Sequence, residues 1–272
     1  MRNAAKNLAC WLAAACGFAA GPVCAGAWVP EEAQVYNKFA LNYLQSNGYF
    51  GVAPPGLRRF TDSNFTYYFE AGIGGQTALF GSVPLQRLTR SDNAGVTENV
   101  AVGDIAIGIR RQLSDGPWVS AAALAVKLPG FYDKDGPLPA GNGQLDLEWR
   151  FLVGRSLGIF GYAGAEVAYR YRTEAPADEF RYLLEYGFAT PWALYFRTKY
   201  DAIKGVGNSD GAGAPAPGNP ALNLEFDLSR IEATLGLQLA RAWALEAQWT
   251  PSLDGDNTLR SNAYQLAVIW QP

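Results

Sequence analysis

The stretch 103–113 alternates branched apolar residues with small or polar ones. Ile105, Ile107 and Ile109 occupy every second position, and glycine, alanine, aspartate or arginine lies between them or beside them. A repeat of two positions is typical of a β-strand with two unlike faces, because successive side chains point to opposite sides. The alternation alone leaves open what the apolar face contacts, since a soluble sandwich and a membrane barrel share it.

Twelve segments of this kind follow residue 30, and no helical period of comparable length competes with them. They span 33–45, 63–74, 76–88, 99–113, 117–129, 143–153, 158–172, 178–188, 192–204, 224–239, 243–252 and 260–271. Short connections follow the even-numbered segments and longer ones follow the odd-numbered segments, as in outer-membrane barrels. The sequence therefore predicts an all-β fold, a single closed antiparallel up-and-down transmembrane β-barrel of about 12 strands. A soluble periplasmic sandwich is the alternative.

The two faces of each segment differ in size and charge. In 178–188 the even positions carry large apolar side chains such as Phe180 and Leu184, whereas the odd positions carry charges and a glycine. A narrow barrel interior needs small residues beside its charged ones, so we expect the charged face to line the lumen and the apolar face to meet lipid. This parity predicts the following lumen-lining charges: Lys38, Glu70, Asp104, Arg110, Lys127, Asp146, Glu148, Arg150, Glu166, Arg170, Glu179, Arg181, Glu185, Arg197, Lys199, Asp201, Glu232 and Glu246.

These lumen charges, ten acidic and eight basic, are expected to pair, because an unpaired charge is costly in a low-dielectric interior. One pair follows from the turn SDGP: if Leu113 faces Trp118, Asp104 lies opposite Lys127. The near balance of charge predicts weak ion selectivity. Two interpretations stay open: paired charges that fill and brace the lumen, or the polar walls of a narrow conduit.

Four tryptophans mark one end of the predicted sheet. Trp118, Trp192 and Trp243 begin strands directly after tight turns, and Trp270 ends the last strand. Their common position predicts an interfacial aromatic girdle, with ordinary packing of single aromatic residues as the alternative. The apolar final strand, 260–271, resembles the assembly signal of outer-membrane barrels, so the barrel-assembly machinery is an expected partner.

Residues 1–27 have the three parts of a secretory signal peptide. Arg2 and Lys6 form a basic start, a short apolar core follows, and the small residues 25–27 offer a cleavage site. Cleavage two residues earlier is a near alternative. We therefore expect export and a single mature domain, residues 28–272, in the outer membrane of a Gram-negative-type bacterium.

Removal of this signal changes the composition of the chain in two ways. It removes every cysteine, namely Cys10, Cys16 and Cys24, although the stretch around Cys16 loosely resembles a lipidation site. It also leaves 20 of the 22 basic residues against 25 acidic ones. This mild acidity argues against a nucleic-acid partner.

Several stretches of the chain resemble a known family. They are AWVPEE, GDIAIGIRRQL with the following KLPG, DLEWRFLVGRSLG and EVAYRYRTEAPADEFRYLLEYGF. They are similar to the MetA-pathway phenol-degradation family of transporter-type outer-membrane proteins, over nearly all of the mature chain. The resemblance implies a β-barrel and the passage of small molecules, aromatic ones among them. It supplies no catalytic residues.

The chain contains no histidine, which bears on enzymatic activity. Barrel enzymes such as phospholipases, deacylases and surface proteases use histidine as a general base or as the partner of a serine or aspartate. We therefore predict no enzyme, no cofactor and no metal site, with a hydrolase that uses carboxylates alone as the remaining alternative. The glycine-rich stretch 72–78 joins two strands and is interpreted as a turn, since no helix follows it.

The expected function is passive movement of small molecules through an outer-membrane β-barrel channel. The alternative is a plugged structural or adhesive barrel without transport. The long loops 46–62, 129–142 and 205–220 are candidates for a gate or selector. Expected partners are outer-membrane lipid and lipopolysaccharide, whose phosphates Arg58 and Arg59 could contact, with an ordinary solvated pair as the alternative.

Overall fold

The computed structural model describes residues 26–209 and 218–272. The predicted signal peptide, with its cysteines, lies outside the described residues except for Gly26 and Ala27. In the described part of the chain, no helix is long and apolar enough to cross a bilayer. Cleavage of the signal and the one-domain mature chain therefore stay predictions.

Thirteen β-strands of the described residues form one antiparallel sheet that closes on itself. They are β1 (Val35–Phe50), β2 (Arg59–Gly74), β3 (Thr77–Asp92), β4 (Gly95–Val102), β5 (Ile105–Asp115), β6 (Val119–Leu128), β7 (Asp146–Ser156), β8 (Tyr162–Arg172), β9 (Glu179–Ala189), β10 (Leu194–Gly205), β11 (Asp227–Ala240), β12 (Trp243–Asp256) and β13 (Thr258–Trp270). Strand β13 pairs with β1 and completes the ring. Because β4 and β5 lie end to end along β3, the ring has twelve strand positions. The predicted closed antiparallel twelve-stranded barrel is confirmed.

The prediction of one continuous strand over 99–113 is wrong, because the chain bulges between β4 and β5. The pairing with β3 shifts by one residue there, so that residues 103–105 oppose only residues 83–84. Pro84 has no N–H to donate to the ladder, and its carbonyl accepts the amide of Gly103 at 3.0 Å. The extra residue changes the parity: even-numbered residues point outward in β4 and odd-numbered residues in β5.

The connections sort to two ends of the barrel. The turn end carries the links 75–76, 116–118, 157–161, 190–193 and 241–242. The loop end carries the links 51–58, 93–94, 129–145, 173–178, 206–226 and 257. The predicted start of a strand at Gly158 is wrong, because a short 3₁₀ turn occupies Gly158–Phe160.

The strict alternation of short and long links is wrong at two places on the loop end. At 93–94 and at 257 the strands extend further than predicted and meet in tight hairpins. The extension of β3 is polar on both faces, and that of β4 contains a single apolar side chain, Val96, so no apolar alternation marks them as strands. The first long loop is shorter than predicted for a similar reason, since β1 and β2 continue into 46–62 and leave only 51–58 as the link.

The faces of the strands follow the predicted parity outside the bulge. In β9 the side chains of Phe180, Tyr182 and Leu184 lie on the outer surface, with 40, 46 and 59% of their area exposed. Glu179, at an odd position of the same strand, is 2% exposed. The barrel therefore presents a largely apolar outer surface and encloses the charges of its inner face.

Candidate functional site

The barrel interior holds a cavity of about 460 Å³ that is lined by side chains from every strand except β4. The predicted charges that line it are Lys38, Glu70, Arg110, Glu148, Arg150, Glu166, Arg181, Glu185, Arg197, Lys199, Asp201 and Glu246. The other predicted charges contact this set or one another: Asp104, Lys127, Asp146, Arg170, Glu179 and Glu232. The structure thus brings the predicted lumen residues together on one enclosed surface.

Glu148 on β7 is the centre of the densest charge cluster. Its carboxylate pairs with the guanidinium groups of three arginines. Arg150 lies on the same strand, Arg170 of β8 lies 2.6 Å from the carboxylate, and Arg181 of β9 lies 3.4 Å from it. Glu148 and Arg170 lie directly opposite each other in the register, which brings the two groups together without distortion. Three cations around one carboxylate offset the cost of removing that carboxylate from water.

Glu246 on β12 is the centre of a second cluster. Lys38 on β1 places its Nζ atom 2.7 Å from Glu246, and Arg197 on β10 places its Nη1 atom 3.3 Å from it. The Tyr195 hydroxyl donates a third hydrogen bond at 3.0 Å. Each partner reaches over one intervening strand, because the long side chains lean along the inner wall. This cluster therefore braces five neighbouring strands.

Smaller ion pairs complete the lining of the cavity. Arg110 on β5 contacts Glu70 on β2. Glu185 on β9 accepts the Tyr162 hydroxyl at 2.6 Å and lies 3.4 Å from Nζ of Lys199. The charges are thus distributed around the whole ring.

The ion pair predicted between Asp104 and Lys127 is present, but in a different register. The two charged atoms lie 2.7 Å apart, and Asp146 approaches the same ammonium group at 3.1 Å. Lys127 lies opposite Ala106 in the sheet, so the predicted alignment is wrong by two residues. The turn is tighter than predicted, with Asp115 opposite Val119, and a register shift between Gln112 and Ser114 then sets the alignment of the two strands. The Ser114 hydroxyl bonds to the other side of the hairpin.

Residues 26–34, which we call the N-terminal segment, precede β1 at the turn end, and their first part, residues 26–30, lies inside the lumen. The indole ring of Trp28 packs over Gly154 and meets the ring of Tyr162 edge-on at 6.0 Å. Arg110 donates to the Trp28 carbonyl at 3.2 Å. This segment was not predicted from the sequence, although a tryptophan just before the first strand and a glycine at an inward position of β7 are signals of it.

A second segment enters the lumen at the loop end. It is the inward loop, residues 129–145, whose Leu138 is 1% exposed. Leu138 packs in an apolar cluster with Phe60, Leu88 and Leu259 of the wall. Of the three predicted gate loops, this one therefore lies inside the barrel.

The inward loop is fixed to the wall by Tyr132. Its hydroxyl donates to Asp104 at 2.5 Å and accepts the amide of Gly143 at 2.8 Å. Burial and the hydrogen bond to Asp104 raise the pKa of the Tyr132 hydroxyl, so the hydroxyl stays protonated and can donate. Asn219, from the link 206–226, donates to the Pro139 carbonyl at 2.7 Å and adds a second attachment. Of the predicted gate loop 205–220, residues 210–217 lie outside the described residues.

The four tryptophans of the predicted girdle lie on the outer surface at the turn end. Trp243 and Trp270 stack at 6.0 Å, and the Arg155 guanidinium lies 5.1 Å from the ring of Trp118. Trp192, in the link 190–193, is 79% exposed. The geometry places four indoles at one level of the barrel.

No protein-family model and no curated protein matches the chain. Solved structures of similar fold include the COG4313 outer membrane channel from Pseudomonas putida F1, with a TM-score of 0.73 and 12% identity over 92% of this chain and 100% of that one. The NanC porin has a TM-score of 0.57 and 8% identity, and the KdgM porin 0.53 and 5%, each over 86% of this chain and 98% of the porin. The fold is therefore that of outer-membrane channels and porins.

Proposed function

We propose that this protein is a passive channel for small molecules in the outer membrane, aromatic solutes among them. The observation that carries the proposal is the charged cavity between two plugs, each made by a single segment of chain. Polar walls offer hydrogen bonds to water and to solutes, as a conduit requires. The aromatic solutes rest on the resemblance to the MetA-pathway family alone.

Both plugs are built in a way that suits a gate. The inward loop attaches to the wall through the Tyr132 hydroxyl, the Asn219 amide and the apolar cluster around Leu138. The N-terminal segment attaches through Trp28, through hydrogen bonds at Val29 and Arg110, and through two backbone hydrogen bonds to Gly72. Displacement of either segment leaves the pairing between the strands of the barrel intact, because neither segment is one of those strands.

The outer surface supports a membrane location and contact with lipopolysaccharide. Arg260 lies ten residues from Trp270 along β13, which is about 25 Å along the barrel axis at a strand tilt of about 40°. That height equals the apolar band of an outer-membrane barrel. Arg260 lies over the ring of Phe50 at 4.7 Å, and Arg58 and Arg59 occupy the same end of the wall, where lipid phosphates would lie. Replacement of Arg59 and Arg260 by glutamine should reduce the lipopolysaccharide retained in native mass spectra.

The plugged structural or adhesive barrel is the second candidate, and the presence of a segment inside the lumen near each end favours it. A barrel of this kind would use its paired charges as bracing and would pass no solute. The two candidates differ in whether removal of a plug exposes a conducting path.

Liposome swelling and planar-bilayer recording test the proposal. The protein would be compared with a variant that lacks residues 133–141, with Ile159→Ser as a control on the 91%-exposed turn outside the lumen. We expect swelling with small sugars, amino acids and phenol, faster in the deletion variant and unchanged in the control. If neither the protein nor the deletion variant conducts while both migrate as folded barrels on unheated gels, the plugged barrel is the correct function.

A further inference from the structure

The cations and carboxylates of the lumen differ in how far they are exposed, although their numbers are nearly equal. The side chains of Arg150 and Lys199 are 30 and 24% exposed. Their carboxylate partners Glu148 and Glu185 are 5 and 9% exposed, and Glu246 is 1% exposed. A solute in the cavity therefore meets ammonium and guanidinium groups first.

Side-chain length explains the asymmetry. Glutamate carboxylates sit close to the wall, and the longer arginine and lysine side chains reach over them from neighbouring strands. Three guanidinium groups cover the one carboxylate of Glu148. Glu166, Glu232 and Asp201 are more open, at 18, 16 and 24%, but each faces an arginine within 3.5 Å.

An apolar wall lies next to the cationic one. Phe80, Ala123 and Leu152 belong to one buried cluster, against which Trp28 of the N-terminal segment packs. The Arg150 guanidinium lies 6.0 Å from the centre of the Phe80 ring and marks the boundary between the two walls. The cavity thus offers positive charge and apolar surface to the same solute.

We infer that the lumen selects small organic anions that carry an apolar body, carboxylates above all, over cations of the same shape. The inference rests on the proposed channel function and names its substrate class. This anion selectivity differs from the weak ion selectivity predicted from the near-equal numbers of charges. The electric field along the path of a solute depends on which charged groups project into that path, and not on their number alone. The carboxylate of the solute would bind near Arg150, Arg181 and Lys199, and its apolar part would contact Phe80 and Leu152.

The reversal potential in a salt gradient provides the first test. In planar bilayers with unequal potassium chloride, we expect a chloride-to-potassium permeability ratio above one for the protein and for its 133–141 deletion variant. Arg150→Gln combined with Arg181→Gln should lower the ratio by about twofold or more. Arg87→Gln is the matched control, since that guanidinium pairs with Glu98 on the outer surface and is 61% exposed.

Liposome swelling with hexanoate and hexylammonium provides the second test, because the two ions differ in charge but share an apolar body. We expect faster swelling with hexanoate, and loss of the difference in the double arginine variant. Lys199→Gln replaces that variant if unheated gels show that it does not fold. Conductance with a ratio at or below one, or with no change in these variants, overturns the inference while leaving the channel function standing. Absence of conductance overturns the channel function itself.

Discussion

The indole ring of Trp28 occupies the space that a side chain at position 154 would need. A Cβ atom added to Gly154 would lie 2.4 Å from Cζ3 and 2.5 Å from Cη2 of Trp28. Gly154 of β7 therefore leaves the space in the wall that Trp28 of the N-terminal segment fills. The plug at the turn end depends on the absence of one methyl group from the wall.

Gly154→Ala should weaken the packing of the N-terminal segment against the wall and increase conductance. Overpacking of this kind costs about 1–3 kcal/mol, which corresponds to a shift of about 5- to 150-fold toward the displaced segment. Single-channel open probability measures the effect. Gly164→Ala is the control, because Gly164 lies opposite Gly154 on β8 and its added Cβ meets nothing closer than 3.5 Å. Equal open probabilities in the two variants would show that the segment does not close the lumen.

Gly236→Ala should destabilise the barrel itself. Tyr195 lies opposite Gly236 across β10 and β11, and an added Cβ would come within 2.0 Å of the tyrosine ring. Displacement of the ring also weakens its hydrogen bond to Glu246. We expect a loss of about 1–3 kcal/mol, read as a lower temperature for the gel-mobility shift of the folded form. The Gly164→Ala variant should retain the original temperature, and the same shift in both variants would contradict the explanation.

Tyr132→Phe should loosen the inward loop without removing its apolar contacts. The variant loses the bond to Asp104 and leaves the amide of Gly143 without its acceptor, at a cost of about 1–3 kcal/mol. Open probability and the rate of tryptic cleavage at Lys134, an exposed residue of this loop, should both rise. Tyr171→Phe, on the outer surface of β8, should change neither. A Tyr132→Phe variant with the original cleavage rate would show that the hydroxyl does not fix the loop.

The outward tryptophans and the lumen tryptophan should differ in their contact with lipid. In vesicles of phospholipid brominated near the headgroup, the emission lost on Trp192→Phe should be strongly quenched, because that indole is 79% exposed on the outer surface. The fluorescence of Trp28, obtained in the same way from Trp28→Phe, should be insensitive to the brominated lipid, since Trp28 packs inside the barrel. Equal quenching of the two components would contradict the assignment of inside and outside.

Strand order, closure and the assignment of faces could be predicted from the sequence because each depends on local patterns. Alternation along a strand decides its two faces, and the sorting of short and long links indicates an up-and-down barrel. The ion pair between Asp104 and Lys127 was predicted for the same reason, since both residues share one hairpin and one face.

The details of pairing could not be predicted in this way. The register of β5 and β6 differs from the expected one because the turn is tighter and the pairing shifts between Gln112 and Ser114. The bulge at 103–105 depends on Pro84, which lies in a different strand. Contacts of this kind join residues distant in sequence, and no periodicity records them.

The sequence by itself determined that this chain folds as a barrel with charges enclosed and apolar side chains outside, because a period of two residues separates the two faces and the small residues beside the charges mark the lumen face. Only the tertiary structure decided that residues 26–30 and 129–145 enter the lumen, and that cations reach further into it than carboxylates. The physical reason is that a lumen exists only after the ring closes. What fills it is then selected by shape, by the gap at Gly154 and by the cluster around Leu138, and not by any local pattern.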